Sequence, residues 1–341
     1  MTTSILRVGK LGSPWETLDP FLVCAHHVDN YPAGNSDLGP NASLSGRVPG
    51  RDVAGLDGWR MYFGRTVPGF VAHPHRGFET ITVLRKGVID HSDSHGGRAR
   101  FGAGDVQWLT AGRGVVHAEM FPLLDPGKPN PLELFQIWLN LPARSKLVDP
   151  GFRMYWADDI PQHTGTDSNG RTTEVICVAG RVPGMAAESA IRPPADSWAA
   201  DPDSDVAIWT VKMAPGAEWT LPPAALKGTR RQLFFFRGTT LAVDGEVVDG
   251  QSQVEVRCDS AVTLVNGPEP GEFLMLQGRP IGEPVVRDGL FVMNSEDELR
   301  QAGSDFKRTG FGTWPWAGNG PVHGPERGRF ASFEKGGSVP G

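Results

Sequence analysis

Glycine and proline interrupt this chain often enough to limit what it can fold into. There are 44 Gly and 29 Pro among 341 residues, about 13% and 8.5% against ordinary usage of about 7% and 5%. Long helices do not survive such interruption, whereas short strands joined by tight turns accommodate it. The remainder is not a disordered polyelectrolyte, since 39% of residues are hydrophobic and 21% charged. The expected class is all-β, and the length suggests two domains at about 100–200 residues each.

The apolar runs fit that class. Residues 28–58 are dense in Gly, Pro, Asn, Asp and Ser and read as a long irregular excursion before a first firm strand near Trp59–Phe63. From Gly69 onward strands are expected at Thr80–Leu84, Val88–His91 and Val106–Thr110. In Phe135–Leu141 the residues Phe135, Ile137, Leu139 and Leu141 recur with period two, which turns Gln136 and Asn140 to the other face. Residues 146–204 suit a connection between domains, with one strand at Glu174–Ala179, and the expected division is 1–148 and 149–341. Strands resume at Val206–Met213, Gln232–Arg237, Leu241–Val243, Val254–Val256, Val262–Val265 and Phe273–Gln277. One helix is expected over about 294–308. Asn294 or Ser295 would cap it, Glu296, Asp297 and Glu298 load its start, and Lys307 and Arg308 its end before Gly310. Beyond Trp316 the Gly/Pro-rich tail has little to bury and reads as extended or frayed.

Charge and cysteine content exclude several functions. The net charge is −6 with no long Lys/Arg cluster, which disfavours direct nucleic-acid binding. Cys24, Cys177 and Cys258 are widely separated and form no CxxC pair, so neither a disulfide framework nor a thiolate zinc site is encoded. No stretch approaches 18 apolar residues and the first 20 residues lack the apolar core of a signal peptide, so a cytoplasmic chain with no membrane partner is expected.

Chemistry concentrates in the first third. His73-Pro74-His75 and His117-Ala118-Glu119 each carry two donors at spacing two, which a strand presents on one face. Two facing segments of this kind assemble three imidazoles and a carboxylate, an open N/O site suited to Fe(II), Mn(II), Ni(II) or Zn(II). Gly102-Ala103-Gly104-Asp105 and Gly112-Arg113-Gly114 supply the turns between them.

These segments resemble the two cupin motifs, HxH(x)3E and a later glycine-rich turn with a third His, here His73, His75, Glu79 and His117. HPHRGFETIT at 73–82, GDVQWLTAGRGVVHAEM at 104–120 and FQIWLNLP at 135–142 further resemble the pirin family of bicupins, as do DPFLV at 19–23 and residues 282–302. The resemblance implies a bicupin of two jelly-roll domains, the first holding one iron through His73, His75, His117 and Glu119 and the second metal-free. It leaves Glu79, the usual cupin ligand position, as a group that orients a ligand imidazole or faces substrate. The excursion at 28–58 and the tail after 316 exceed the family pattern.

Aligning Leu84–Gly87 with Phe235–Gly238 gives an offset of 151 between the halves, which sets Ala224, Leu226 and Arg230 opposite His73, His75 and Glu79. The remaining histidines read as bystanders. His26 and His27 are expected at the surface or in capping roles, with at most one able to join a site. His91 and His95 read as solvated beside a turn, and His163 and His323 as loop residues. Gln107, Trp108, Arg113 and Gln136 either line the pocket or support it.

The resemblance implies quercetin 2,3-dioxygenase activity on a flavonol or another chelating enol with dioxygen, with Glu119 as the base. The same family resemblance also implies an alternative, an iron- or redox-sensing regulator that acts through a protein partner without turnover.

Overall fold

The structure is a computed structural model and describes residues 3–186, 190–326, 328–332 and 338–340. Residues 327, 333–337 and 341 of the expected tail, and residues 1 and 2, lie outside the described residues.

The strands in chain order are β1 (Ile5–Lys10), β2 (Phe21–Tyr31), β3 (Gly69–His75), β4 (Phe78–Lys86), β5 (Val88–Asp93), β6 (Arg98–Gly102), β7 (Val106–Thr110), β8 (Val115–Met120), β9 (Asn130–Asn140) and β10 (Gly151–Tyr155). There follow β11 (Gln162–Thr166), β12 (Thr172–Ala179), β13 (Ala207–Met213), β14 (Glu218–Leu221), β15 (Arg230–Arg237), β16 (Thr240–Val243), β17 (Glu246–Asp249), β18 (Ser252–Val256), β19 (Val262–Asn266) and β20 (Gly271–Gly278). The chain closes with β21 (Val286–Arg287), β22 (Val292–Met293), the helix α1 (Glu296–Thr309), β23 (Phe330–Ser332) and β24 (Ser338–Pro340). The all-β expectation holds: α1 is the one α-helix among the described residues, and no helix is long and apolar enough to cross a membrane.

Two compact units share the chain. One takes His26–Ile137, Leu141–Ala157 and Glu283–Gly341, the other Met1–Ala25, Trp138–Asn140 and Asp158–Gly282. In the first, a five-stranded sheet ordered β10-β7-β4-β9-β2 and a six-stranded sheet ordered β24-β23-β6-β5-β8-β3 bury one core between them, with Leu84, Leu109 and Leu134 from the former and Ile89, Phe101 and Val115 from the latter. In the second, a seven-stranded sheet ordered β1-β18-β15-β20-β13-β12-β11 and a four-stranded sheet ordered β14-β19-β16-β17 do the same, with Leu233 and Phe273 meeting Leu241 and Leu264. The two orders are copies of one plan. β7-β4-β9 recurs as β18-β15-β20, and β6-β5-β8-β3 recurs as β17-β16-β19-β14. Each is a cupin domain.

The chain crosses the expected 148/149 division at both ends. β1 pairs antiparallel with β18 and belongs to the second unit. The helix α1 belongs to the first unit, where Leu299, Ala302 and Phe306 pack with Phe291, Met293, Phe311 and Val116. Its caps follow the expectation. Ser295 Oγ accepts from the Glu298 amide, acidic residues fill the first turn and Lys307 and Arg308 the last, and Gly310 closes it in the left-handed conformation.

Three expectations are corrected. Trp59–Phe63 is not a strand: Tyr62 makes isolated bridges to Asp52 and Gly69, and β1 and β2 precede it. The tail is not frayed over its described residues, because it covers a buried ion pair. Arg100 and Asp90 meet face to face, and the tail satisfies their remaining bonds through the Gly324 carbonyl at 2.8 Å and the His323 amide at 2.8 Å, while β23 pairs with β6. The 151-residue offset relates β4 to β15 but not every strand. Leu221, Val262 and Leu264 occupy the interior of the β14/β19 pair, so these residues rather than Ala224 and Leu226 stand where β3 and β8 carry donors, while Arg230 on β15 keeps its place opposite Glu79 on β4.

Candidate metal centre

Register brings the two donor pairs together. β3 and β8 are antiparallel, with His73 opposite His117 and His75 opposite Val115. Directly opposed residues share a face, so both members of each spaced pair point between the sheets. One nitrogen from each of His73, His75 and His117 lies within 4.8 Å of the others, and this is the one such donor group among the described residues.

Hydrogen bonds set the tautomers of two imidazoles. His73 Nδ1–H donates to the Val71 carbonyl at 2.8 Å and His75 Nδ1–H to the Leu290 carbonyl at 3.3 Å, which leaves each Nε2 with its lone pair. His117 is fully buried, and neither ring nitrogen has a hydrogen-bond partner. A buried imidazole with two orphaned nitrogens is costly unless something else takes a lone pair. Burial, and then the neighbouring imidazoles, hold His75 and His117 well below the usual histidine range; burial also lowers His73. All three are kept neutral, the form that binds a cation. The donor set therefore fits a divalent metal ion.

Glu119 is buried beside them, its Oε2 4.0 Å from His117 Nε2. Gln136 Nε2 donates to that oxygen at 2.8 Å, and Thr82 Oγ1 lies 3.2 Å from Oε1. Glu79 occupies the other face of β4 from Thr82, where its carboxylate accepts from the Thr110 hydroxyl at 2.7 Å. An orienting role toward a ligand imidazole is not where this strand aims it.

Of the supporting residues, Gln136 touches the site, and Gln107 shares its face by pairing with Thr82. Trp108 pairs with Ile81 on the opposite face, and Arg113 is an exposed partner of Asp149 at the surface. His91 is the main correction among the histidines. It is fully buried rather than solvated, its Nε2 lies 3.1 Å from Asp93 Oδ2, and its ring centroid is 5.6 Å from that of His117. The sequence signal was its spacing of two from Asp93, which gains meaning only once β5 is registered against β8. His26 and His27 lie on β2 and are partly buried, with His26 3.3 Å from Glu133 and His27 2.8 Å from the Tyr62 hydroxyl. His323 holds the tail, its Nε2–H donating to the His91 carbonyl at 2.8 Å.

Two tandem cupin domains, the first with a buried three-histidine cluster and the second with an apolar interior at the equivalent strands, define a bicupin. Residues 54–139 match the family described as Pirin, and residues 208–312 match the Pirin C-terminal cupin domain. The chain is 34% identical over 244 residues to a Pseudomonas aeruginosa protein named "Putative quercetin 2,3-dioxygenase", covering 71% of this chain and 79% of that one. It is 31% identical over 251 residues to human pirin, covering 70% and 76%. Among solved structures, quercetin 2,3-dioxygenase from Acinetobacter baumannii superposes with a TM-score of 0.65 at 26% identity, covering 86% of each chain. The chain belongs to the pirin family.

Proposed function

We propose that this protein is a metal-dependent dioxygenase, with Fe(II) held by His73, His75, His117 and Glu119, that opens flavonols or related chelating enols with dioxygen. Mn(II), Ni(II) and Zn(II) are the other ions this donor set accommodates. The observation that carries the reading is the trio of neutral, buried imidazoles within 4.8 Å, one with both nitrogens orphaned. Relatives named for quercetin 2,3-dioxygenase supply the substrate class.

A bound divalent ion supplies Lewis acidity, which lowers the pKa of a coordinated enol hydroxyl and leaves positions for small ligands. The chain does the rest. Glu119 closes the donor set and takes the enol proton: the O–H bond breaks, the electron pair stays on the enolate oxygen, and the proton passes to the carboxylate. Gln136 and Thr82 fix its orientation so that it need not reorganise as the proton arrives. The partly buried Phe70, 6.3 Å from His73 between ring centroids, offers an apolar wall to a planar substrate.

The test is anaerobic loading with Fe(II), then oxygen uptake and loss of the long-wavelength flavonol absorbance on adding quercetin. Consumption should follow iron content. Fully loaded protein that consumes no oxygen with any chelating enol, yet changes a protein partner's affinity with iron state, would replace this reading with a regulatory one.

A further inference from the structure

β2 lies at the edge of the five-stranded sheet beside β9, and alternation sends His26 and His27 to opposite faces. The His26 ring packs on Phe135 at 4.7 Å, which is the face away from Gln136. His27 therefore takes the face of Gln136, Thr82 and Glu119. There its ring stands edge-on to Phe70 at 5.6 Å, and Phe70 in turn is 6.3 Å from His73. One phenyl ring thus neighbours both His27 and the imidazole cluster.

Proton accounting settles which nitrogen His27 presents. The fully buried Asp29 accepts from Arg60 Nη1 at 3.0 Å and from the Tyr62 hydroxyl at 2.7 Å. Tyr62 has one hydroxyl proton and gives it to Asp29, so its oxygen can only accept from His27 Nδ1, 2.8 Å away. The ring proton is thus on Nδ1. Burial, with Arg60 and His26 adding to it, lowers His27 to about 4, so the ring is neutral and Nε2 carries a lone pair. No described residue hydrogen-bonds to that nitrogen.

We propose that His27 Nε2 is a hydroxyl-recognition point, accepting a hydrogen bond from a ring hydroxyl of a polyhydroxylated aromatic substrate whose chelating oxygens lie among His73, His75 and His117. This rests on the flavonol reading above and adds the substrate feature that is selected. A planar polycyclic enol extends at least one ring beyond its chelating end. That ring passes Phe70, which offers nothing to a polar edge, before reaching a neutral acceptor fixed by Tyr62 and Asp29. No proton is transferred; the site favours a hydroxyl because the acceptor is otherwise left unpaired against the ligand.

The test uses Zn(II)-loaded protein, which binds without redox turnover, titrated with quercetin and with 3-hydroxyflavone, which keeps the chelating oxygens and lacks every other hydroxyl. The ratio of the two affinities should fall about tenfold in His27→Phe, through weaker quercetin binding, with 3-hydroxyflavone unchanged. Tyr62→Phe should lose part of the ratio, because Nδ1 loses its acceptor and the tautomer is no longer fixed. Should His27→Phe fail to fold, His27→Gln serves in its place, with zinc content and melting temperature as controls. Histidine-nitrogen NMR should find His27 protonated at Nδ1 only. Binding of both flavonols with the same ratio in wild type and variant overturns the role of His27 alone; wild-type protein that binds neither overturns the flavonol reading and this inference with it.

Discussion

Gln136 donates to Glu119 through Nε2 at 2.8 Å while its Oε1 lies 2.6 Å from Thr82 Oγ1, so one amide fixes the carboxylate and is itself fixed by a hydroxyl. Groups that orient a ligand commonly contribute about 10–100-fold to metal affinity. Gln136→Leu should therefore weaken metal binding by that order with the fold intact, measured by competition against a chromophoric chelator. An unchanged affinity would mean that Glu119 needs no orientation.

The two carboxylates of the motif should behave differently. Glu119→Gln should weaken metal binding more than Glu79→Gln, because Glu79 bonds Thr110 across β4 from the site. His75→Ala should abolish most binding. Metal analysis of the three variants decides it, and the reverse order for the carboxylates would remove Glu119 from the donor set.

Gly77, two residues after His75, sits at φ +82°, and a Cβ there would lie 2.0 Å from the Val292 carbonyl oxygen. Gly77→Ala should cost about 1–3 kcal/mol from backbone strain alone, with the clash in addition, and should disturb the 290–293 segment on which His75 leans. Gly151→Ala, with nothing within 4 Å of the added carbon, is the control and should unfold in urea as wild type does.

Lys146 is buried and donates from Nζ to the Gly77 carbonyl at 2.8 Å and the Val292 carbonyl at 3.1 Å. Burial pushes it down to about 8. Between pH 8 and about 10.5 the unfolded chain binds the proton that the folded chain has shed, so stability should rise with pH across that window and stay level below it. Lys146→Met should lose this slope. Denaturant melts of both proteins at pH 7, 8, 9 and 10 check it, and parallel curves would show that the ammonium is not penalised.

Removing a tightly bound ion should lower the melting temperature, since a ligand at 100 times its dissociation constant contributes about 2.7 kcal/mol. Chelator treatment followed by a thermal melt, with re-addition of Fe(II) or Zn(II), measures the effect. An identical melt with and without metal would argue against binding at His73, His75 and His117.

The donor pairs were legible in sequence because strand alternation needs only local spacing: His73 with His75, and His117 with Glu119, share a face whatever else the chain does. What surrounds them was not legible. His91 reads as a turn residue until the β5/β8 register sets it opposite Glu119 and sets Asp93 opposite His117. His27 looks like half of an arbitrary pair until the Tyr62 hydroxyl oxygen, 35 residues away, accepts a hydrogen bond from its Nδ1–H. The tail looked frayed because its composition holds few apolar residues, yet its order comes from completing the hydrogen bonds of Asp90 and Arg100. In each case the deciding partner is distant in sequence, and hydrophobic periodicity carries no information about it.

The pairing of β1 with β18 bears on how the chain is made. Ile5 faces Val256 and Lys10 faces Ser252, so during synthesis β1 meets its neighbour only after some 250 more residues have been added. At about 5–20 residues per second that wait is roughly 12–50 s. Throughout it the segment carrying the exposed Leu6 and Val8 is without its β18 partner. The second cupin domain thus completes the edge of its seven-stranded sheet with a segment made some 250 residues before the strand it pairs with.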